Sequence, residues 1–250
     1  MPGWLAAGGW GLLAGAALVI GAAIAWTVQV PTRVVAAVMA FGAGVLISAL
    51  AFDLMDEAER SGGLLPTACG FLGGALAYVL ANTALSRRGA RHRKRSHDRQ
   101  PSEQQANGSG AAIAIGALLD GVPESVVLGI SLIGGQGVGL PVLAAVFISN
   151  LPEGLSSAAG MKQAGRSARY VFGVWLGIAL ISGLSALVGY LLLDGAAPSL
   201  IAVITAVAAG AILAMIADTM VPEAFEETHV FTGLITTIGF LVAFAIERVS

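Results

Sequence analysis

The sequence predicts an all-α membrane protein with eight transmembrane helices, and three observations lead there. Of its 250 residues 56% are hydrophobic and only 11% charged, too little charge to cover a water-soluble surface, so the bilayer must solvate most of the chain. Apolar stretches near the roughly 20 residues that cross a bilayer as a helix recur along its length. Glycine contributes 34 residues, a bias that suits membrane helices packed backbone against backbone.

Charge-free stretches of spanning length run over 5–30, 34–52, 64–85, 170–193, 199–217 and 230–246; 111–134 and 139–160 qualify except for a few acids. The first is read as a span and not as a secretion signal, because no Lys or Arg precedes Arg33 and the apolar run outlasts a signal core. Pro31, Ser61-Gly62-Gly63, Gly134-Gly135-Gln136-Gly137 and Asp194-Gly195 mark breaks between helices. Pro66, Pro141 and Pro198 sit near helix starts, where a missing N–H costs nothing. The single cysteine, Cys69, excludes an intramolecular disulfide and a cysteine-built zinc site.

Residues 1–85 then form spans one to three, 86–110 a hydrophilic basic linker, and 111–250 spans four to eight. The linker has no composition for a core, and its His92 and His97 read first as part of a solvated loop and only second as metal-capturing groups. With the N-terminus outside, eleven Lys and Arg residues fall on the cytoplasmic side and two, Arg60 and Arg248, outside. The positive-inside rule therefore places both termini and the 61–63 break extracytoplasmically, in a multi-pass protein of a bacterial-type plasma membrane.

Spans four and five contain no Lys, Arg or His, yet carry Asp120, Glu124 and Glu153. An ionised carboxylate at that depth is expensive, so such acids are protonated, line water or coordinate a cation, and all three point to a pathway. Asp120-Gly121-Val122-Pro123-Glu124 and Ser149-Asn150-Leu151-Pro152-Glu153 repeat one pattern. Asp120 with Glu124, and Ser149 with Glu153, are four apart and stack on one helix face; Asn150 and Glu153, three apart, share a face too. Pro123 and Pro152 free the carbonyls of Leu119 and Ile148, which a membrane tolerates only where something re-satisfies them.

A third Pro-Glu, Pro222-Glu223, follows Asp218 in span seven, and Asp53-Leu54-Met55 at the end of span two echoes Asp218-Thr219-Met220. The flanking acids Asp56, Glu57, Glu59, Glu226 and Glu227 read equally as wet helix ends or as a funnel, with Asp53 and Asp218 deeper. Opposite orientation of spans two and seven implies a 3+2+3 arrangement with inverted repeats around a central pair.

These residues resemble the ZIP family of divalent-metal transporters, particularly its GufA-like branch. The resemblance implies eight helices, outside termini, a variable cytoplasmic loop after the third helix, and Pro-Glu motifs on helices four and five. Glu124 and Glu153 fall on the family's metal-bridging glutamates, Asn150 on its motif Asn or Asp, Asp53 near a polar helix-two residue, and Ser182-Gly183-Leu184 on a helix-six signature. The chain departs from the family where Asp120 and Ser149 replace motif histidines, Gly121 and Ser125 replace the motif Asn and Gly, and Ala186 replaces an acid. By resemblance, one site would use Asp53, Asp120, Glu124, Ser149 and Glu153, while a second keeps only Asn150 and the shared glutamates. Spans one, four, five and six would form a moving bundle against a scaffold of two, three, seven and eight.

The sequence-based expectation is thus a non-enzymatic carrier of zinc, manganese, iron or a similar divalent cation into the cytoplasm. The ion is its substrate; no prosthetic group and no nucleic-acid partner are expected. Glu124 and Glu153 are the principal ligands, helped by Asp120, Asp53, Asn150 and Ser149, with Asp218 and Glu223 on the route. The rivals are an ion- or proton-coupled carrier of another solute, an intramembrane protease, and a metal-binding membrane protein that does not transport. The small-residue pairs Gly11/Gly15 and Gly173/Gly177 suit either internal packing or a homodimer.

Overall fold

The structure, a computed structural model, describes residues 2–87, 109–133 and 140–249. Its elements are α1 (Gly3–Thr27), α2 (Thr32–Ala49), α3 (Met55–Gly62), α4 (Leu64–Leu85), α5 (Ser109–Ile130), α6 (Leu140–Gln163), α7 (Ala168–Leu193), α8 (Pro198–Met215), α9 (Val221–Thr228) and α10 (Phe231–Val249). Among the described residues there is no strand. Eight helices among the described residues are long and apolar enough to span a membrane; α2 with α3 makes the second and α8 with α9 the seventh. The chain is an all-α, multi-pass membrane protein.

Two spans run longer than their charge-free stretches. The charge-free stretches end at residues 52 and 217, whereas the helices continue through the flanking acids to Gly62 and Thr228. The acids that stop an apolar window do not stop a helix: α3 buries only Ala58, while its first turn holds Asp56 and Glu57. Asp56 also pairs with Arg60 one turn on, Nη2 to Oδ2 at 2.7 Å.

Both long spans are joined by a π turn, Leu50–Leu54 in one and Ile216–Met220 in the other. There the Met55 amide reaches back five residues to the Leu50 carbonyl, and Val221 does the same to Ile216. The two spans share one anatomy: 18 α residues, five π residues, then eight α residues. Asp53 and Asp218 each sit inside their span's π turn, one residue out of register with each other. π turns concentrate at functional sites, so the echo of the two Asp-x-Met segments has a structural counterpart.

Packing divides the spans into two groups. Spans one, four, five and six pack mainly on one another, through α1 with α6 and α7 and through α5 with α7; spans two, three, seven and eight pack through α4 with α8 and α2 with α10. The seam between the groups runs along α2 with α6, α5 with α8 and, more lightly, α4 with α5. This is the grouping that the family resemblance implies.

Glycine makes the close pairs. Gly74 abuts the Val207 carbonyl while Gly210 abuts that of Phe71, joining α4 to α8; Gly44 and Gly239 join α2 to α10 in the same reciprocal way, and Gly21 and Gly154 join α1 to α6. A Cβ at any of these six would collide with backbone, so only glycine lets the helices come this near. Gly11 and Gly15 face Ala186 and Ala179 of α7, which assigns that pair to internal packing, whereas Gly173 and Gly177 meet nothing within 4 Å. Left-handed glycines, Gly63 at φ 78° and Gly195 at φ 80°, end α3 and the turn after α7 at two of the expected breaks. Large apolar side chains, among them Leu72, Leu76, Leu80, Leu234 and Leu241, cover the outer faces of α4 and α10, as a surface solvated by lipid requires.

A carboxylate chamber beneath an acidic vestibule

Asp120, Glu124, Ser149, Asn150 and Glu153 are all at most 5% exposed. The helices run unbroken through Pro123 and Pro152, so the repeated motif stays helical and its polar faces turn inward. The sequence therefore located the buried polar centre of the bundle. How its members are used differs from one to the next.

Glu124 lies against a chamber of about 10 Å³ walled by Leu46, Ala49, Leu50, Val127, Ala145, Val146 and their neighbours. That is about the room one water needs. The walls come from spans two, four, five and seven, so the chamber sits on the seam between the two helix groups.

Asp120 and Asn150 are tied elsewhere. The Tyr78 hydroxyl donates to Asp120 Oδ1 at 2.7 Å, and Asn150 Nδ2 donates to the Ala14 carbonyl at 3.0 Å. The Asn150 bond anchors α6 to α1 next to the Gly21–Gly154 contact, leaving the amide oxygen as the group able to hold a cation. Ser149 donates to the Val146 carbonyl one turn back at 3.0 Å, and Ser125 to that of Gly121 at 2.7 Å, so both hydroxyls keep only acceptor capacity. Gly121 faces Ser182 of the helix-six signature, and Gly42 of α2 faces Ser149 across the seam.

The expected single cluster is not drawn together here. Among the described residues no three His, Cys, Asp or Glu side chains gather closely enough to hold a metal ion. The physical reason lies in the packing: α5 leans on α7 and α8 while α6 lies on α1 and α2, so the helices carrying Glu124 and Glu153 meet over only a short stretch. Asp218 is exposed, and Glu223 is half-buried in α9. Neither joins the chamber wall. His92 and His97 lie outside the described residues.

Asp53 belongs to a second, larger space. A vestibule of about 1210 Å³ is lined by Asp53, Asp56, Glu57, Glu247, Ser131 and Thr205, with Arg60 and Arg248 also on its wall. It opens at the end of the molecule where α3, α5 and α10 finish and α8 begins. Asp53 Oδ2 and Glu247 Oε2 are buried there and accept no hydrogen bond from any described residue. The two carboxylates also lie near enough to repel each other. Leu54, Val127 and Val142 line both the vestibule and the Glu124 chamber, so a single apolar layer divides them. Asp218, in the oppositely directed span, lies toward the other end.

Two residues of this polar interior, Glu247 and Tyr78, escaped the sequence reading, though a signal for each was present. Glu247 falls just past the last charge-free stretch, yet it continues the buried stripe Gly239–Ala243 at four-residue spacing. Tyr78 continues the buried stripe Gly70–Gly74 of α4 in the same way.

No protein-family model matches the chain, and no curated protein matches it either.

Proposed function

We propose that this protein carries a divalent metal cation across the membrane, taking it from the acidic vestibule past the Leu54–Val127–Val142 layer to Glu124 and Glu153. The observation that carries this reading is a fully buried glutamate, Glu124, in an otherwise apolar chamber one side-chain layer below a vestibule rich in carboxylates. Intramembrane acids mark ion pathways, and alternating access needs such a site on the boundary between two packed groups of helices.

By the positive-inside rule the vestibule faces outward and the ion moves into the cytoplasm. The resemblance to the ZIP family supports the same direction and cargo: zinc, manganese or iron. In this conformation Asp120 and Asn150 are held by Tyr78 and Ala14, so a complete ligand set forms when the seam rearranges around the ion. Glu124 and Glu153 supply charge, and Asn150 and Ser149 add neutral oxygens. Because carboxylates must lose their protons to bind a metal, uptake competes with protons.

A second reading has one observation in its favour. The vestibule is large enough for a small organic solute, whose movement the acids would couple to an ion. Uptake of radioactive zinc and manganese into proteoliposomes by the wild type, Glu124→Ala and Glu153→Ala decides between them. Metal uptake lost in both variants, with expression and oligomeric state unchanged, supports the metal carrier. Wild-type uptake by Glu153→Ala ends it.

A further inference from the structure

The Tyr78–Asp120 hydrogen bond joins the two helix groups to each other. Tyr78 belongs to α4, in the group of spans two, three, seven and eight, and Asp120 to α5, in the other. Both side chains are almost inaccessible, at 2% and 1% exposure, so the 2.7 Å bond is shielded from water and from lipid. In such surroundings a hydroxyl donating to a carboxylate is stronger than a neutral bond, and an acceptor left without it costs the full desolvation. The seam also carries packing contacts, Gly42 on Ser149 and apolar chamber walls shared by spans two, four, five and seven. Asp120 also lies one turn from Glu124 on the same face, so whatever fixes Asp120 fixes the register of α5 at the chamber.

We propose that Tyr78 is a positioning residue, whose hydroxyl latches Asp120 and holds the two helix groups in the conformer that closes the vestibule off from Glu124. Its part in transport rests on the function proposed above; its part in closure does not. Opening the apolar layer requires the groups to shift along the seam, and the latch sets the population of the closed conformer. Its loss shifts that equilibrium toward opening by roughly tenfold to hundredfold, the equivalent of one buried hydrogen bond to a charged group.

The test separates the bond from the charge. In a Cys69→Ala background, Leu50→Cys places a reporter thiol in the chamber wall, where Leu50 lines the chamber and not the vestibule. A membrane-impermeant methanethiosulfonate is applied to intact cells without added metal, and the rate of labelling is read. Tyr78→Phe removes the donor and keeps the charge; Asp120→Asn removes the charge and keeps an oxygen that accepts from Tyr78. The latch predicts labelling about tenfold faster or more in Tyr78→Phe and a several-fold smaller acceleration in Asp120→Asn, whose neutral oxygen keeps a weaker bond. Asp120→Leu, which breaks the bond from the other side, gives the same acceleration and stands in if Tyr78→Phe is not recovered folded. In proteoliposomes Tyr78→Phe lowers the KM of metal uptake, because the conformer through which the site is reached is more populated once the latch is gone. Unchanged labelling in both bond-breaking variants, or equal acceleration in Asp120→Asn, overturns the latch. An absence of metal uptake by the wild type removes the transport reading and leaves the labelling result standing.

Discussion

Val127→Ala tests the apolar layer between vestibule and chamber. Val127 is 2% exposed and, with Leu54 and Val142, borders both spaces. The substitution deletes two methyl groups, a transfer loss of about 1.6 kcal/mol at roughly 0.8 kcal/mol each. A dry void would add about 24 cal/mol per Å³ left empty. Here the new space joins a vestibule of about 1210 Å³, so water enters and little of that cavity term applies. The expected loss is therefore about 1.5–2 kcal/mol, which lowers an apparent melting temperature by about 3–8 °C for a chain of this size. The assay pairs thermal unfolding in detergent with thiol labelling of the Leu50→Cys reporter in the Cys69→Ala background. Labelling should accelerate, because the layer is thinned where it is only one side chain deep. A loss beyond about 3 kcal/mol would mean that the methyl groups left a dry, sealed hole. Together with unchanged labelling, that outcome would refute the placement of Val127 as a partition.

Two other predictions follow from the same picture. Replacing residues 86–110 with a short Gly/Ser linker that keeps a few arginines should preserve uptake in liposomes, since the composition of this stretch offers no core and its basic residues suffice to fix topology; complete loss with correct insertion would make His92 and His97 part of the mechanism. Asp120→His places an imidazole one turn from Glu124 and should shift competitive uptake toward zinc over manganese, because the candidate ligands are otherwise all oxygen donors; a wild type that already takes zinc by a wide margin, unaltered by the substitution, would contradict this.

The spans were legible because an apolar run of membrane length has few other uses, and because Pro31, Gly63 and Asp194-Gly195 punctuate the chain where the helices end. The buried polar centre was legible for a related reason: an acid amid apolar residues, four positions from another polar group, has one inward face to occupy. What escaped was pairing. Nothing local in Leu50–Leu54 or Ile216–Met220 announces a π turn, since the widened backbone depends on how each long span packs against its neighbours. Reciprocal glycine contacts such as Gly74 with Gly210 are set by helices far apart in sequence. The same holds for Asp120 and Asn150, whose spacing suggested free ligands but whose partners, Tyr78 and the Ala14 carbonyl, come from spans three and one. Asp218 stands on the outer side of its π turn, whose packed face is made by Ile216, Thr219 and Met220.

Metal uptake by the purified wild-type protein is the most direct test of the central claim, that Glu124 and Glu153 form the cation site of a transporter. Proteoliposomes loaded with a metal-sensitive dye are given zinc, manganese or iron outside, beside protein-free vesicles and a Glu124→Gln/Glu153→Gln protein that keeps side-chain volume and loses both charges. The account predicts saturable dye response with the wild type and none above the protein-free level with the double variant, whose folded yield is unchanged. Equal responses from the wild type and the double variant, or no wild-type response to any of the three metals, would contradict it.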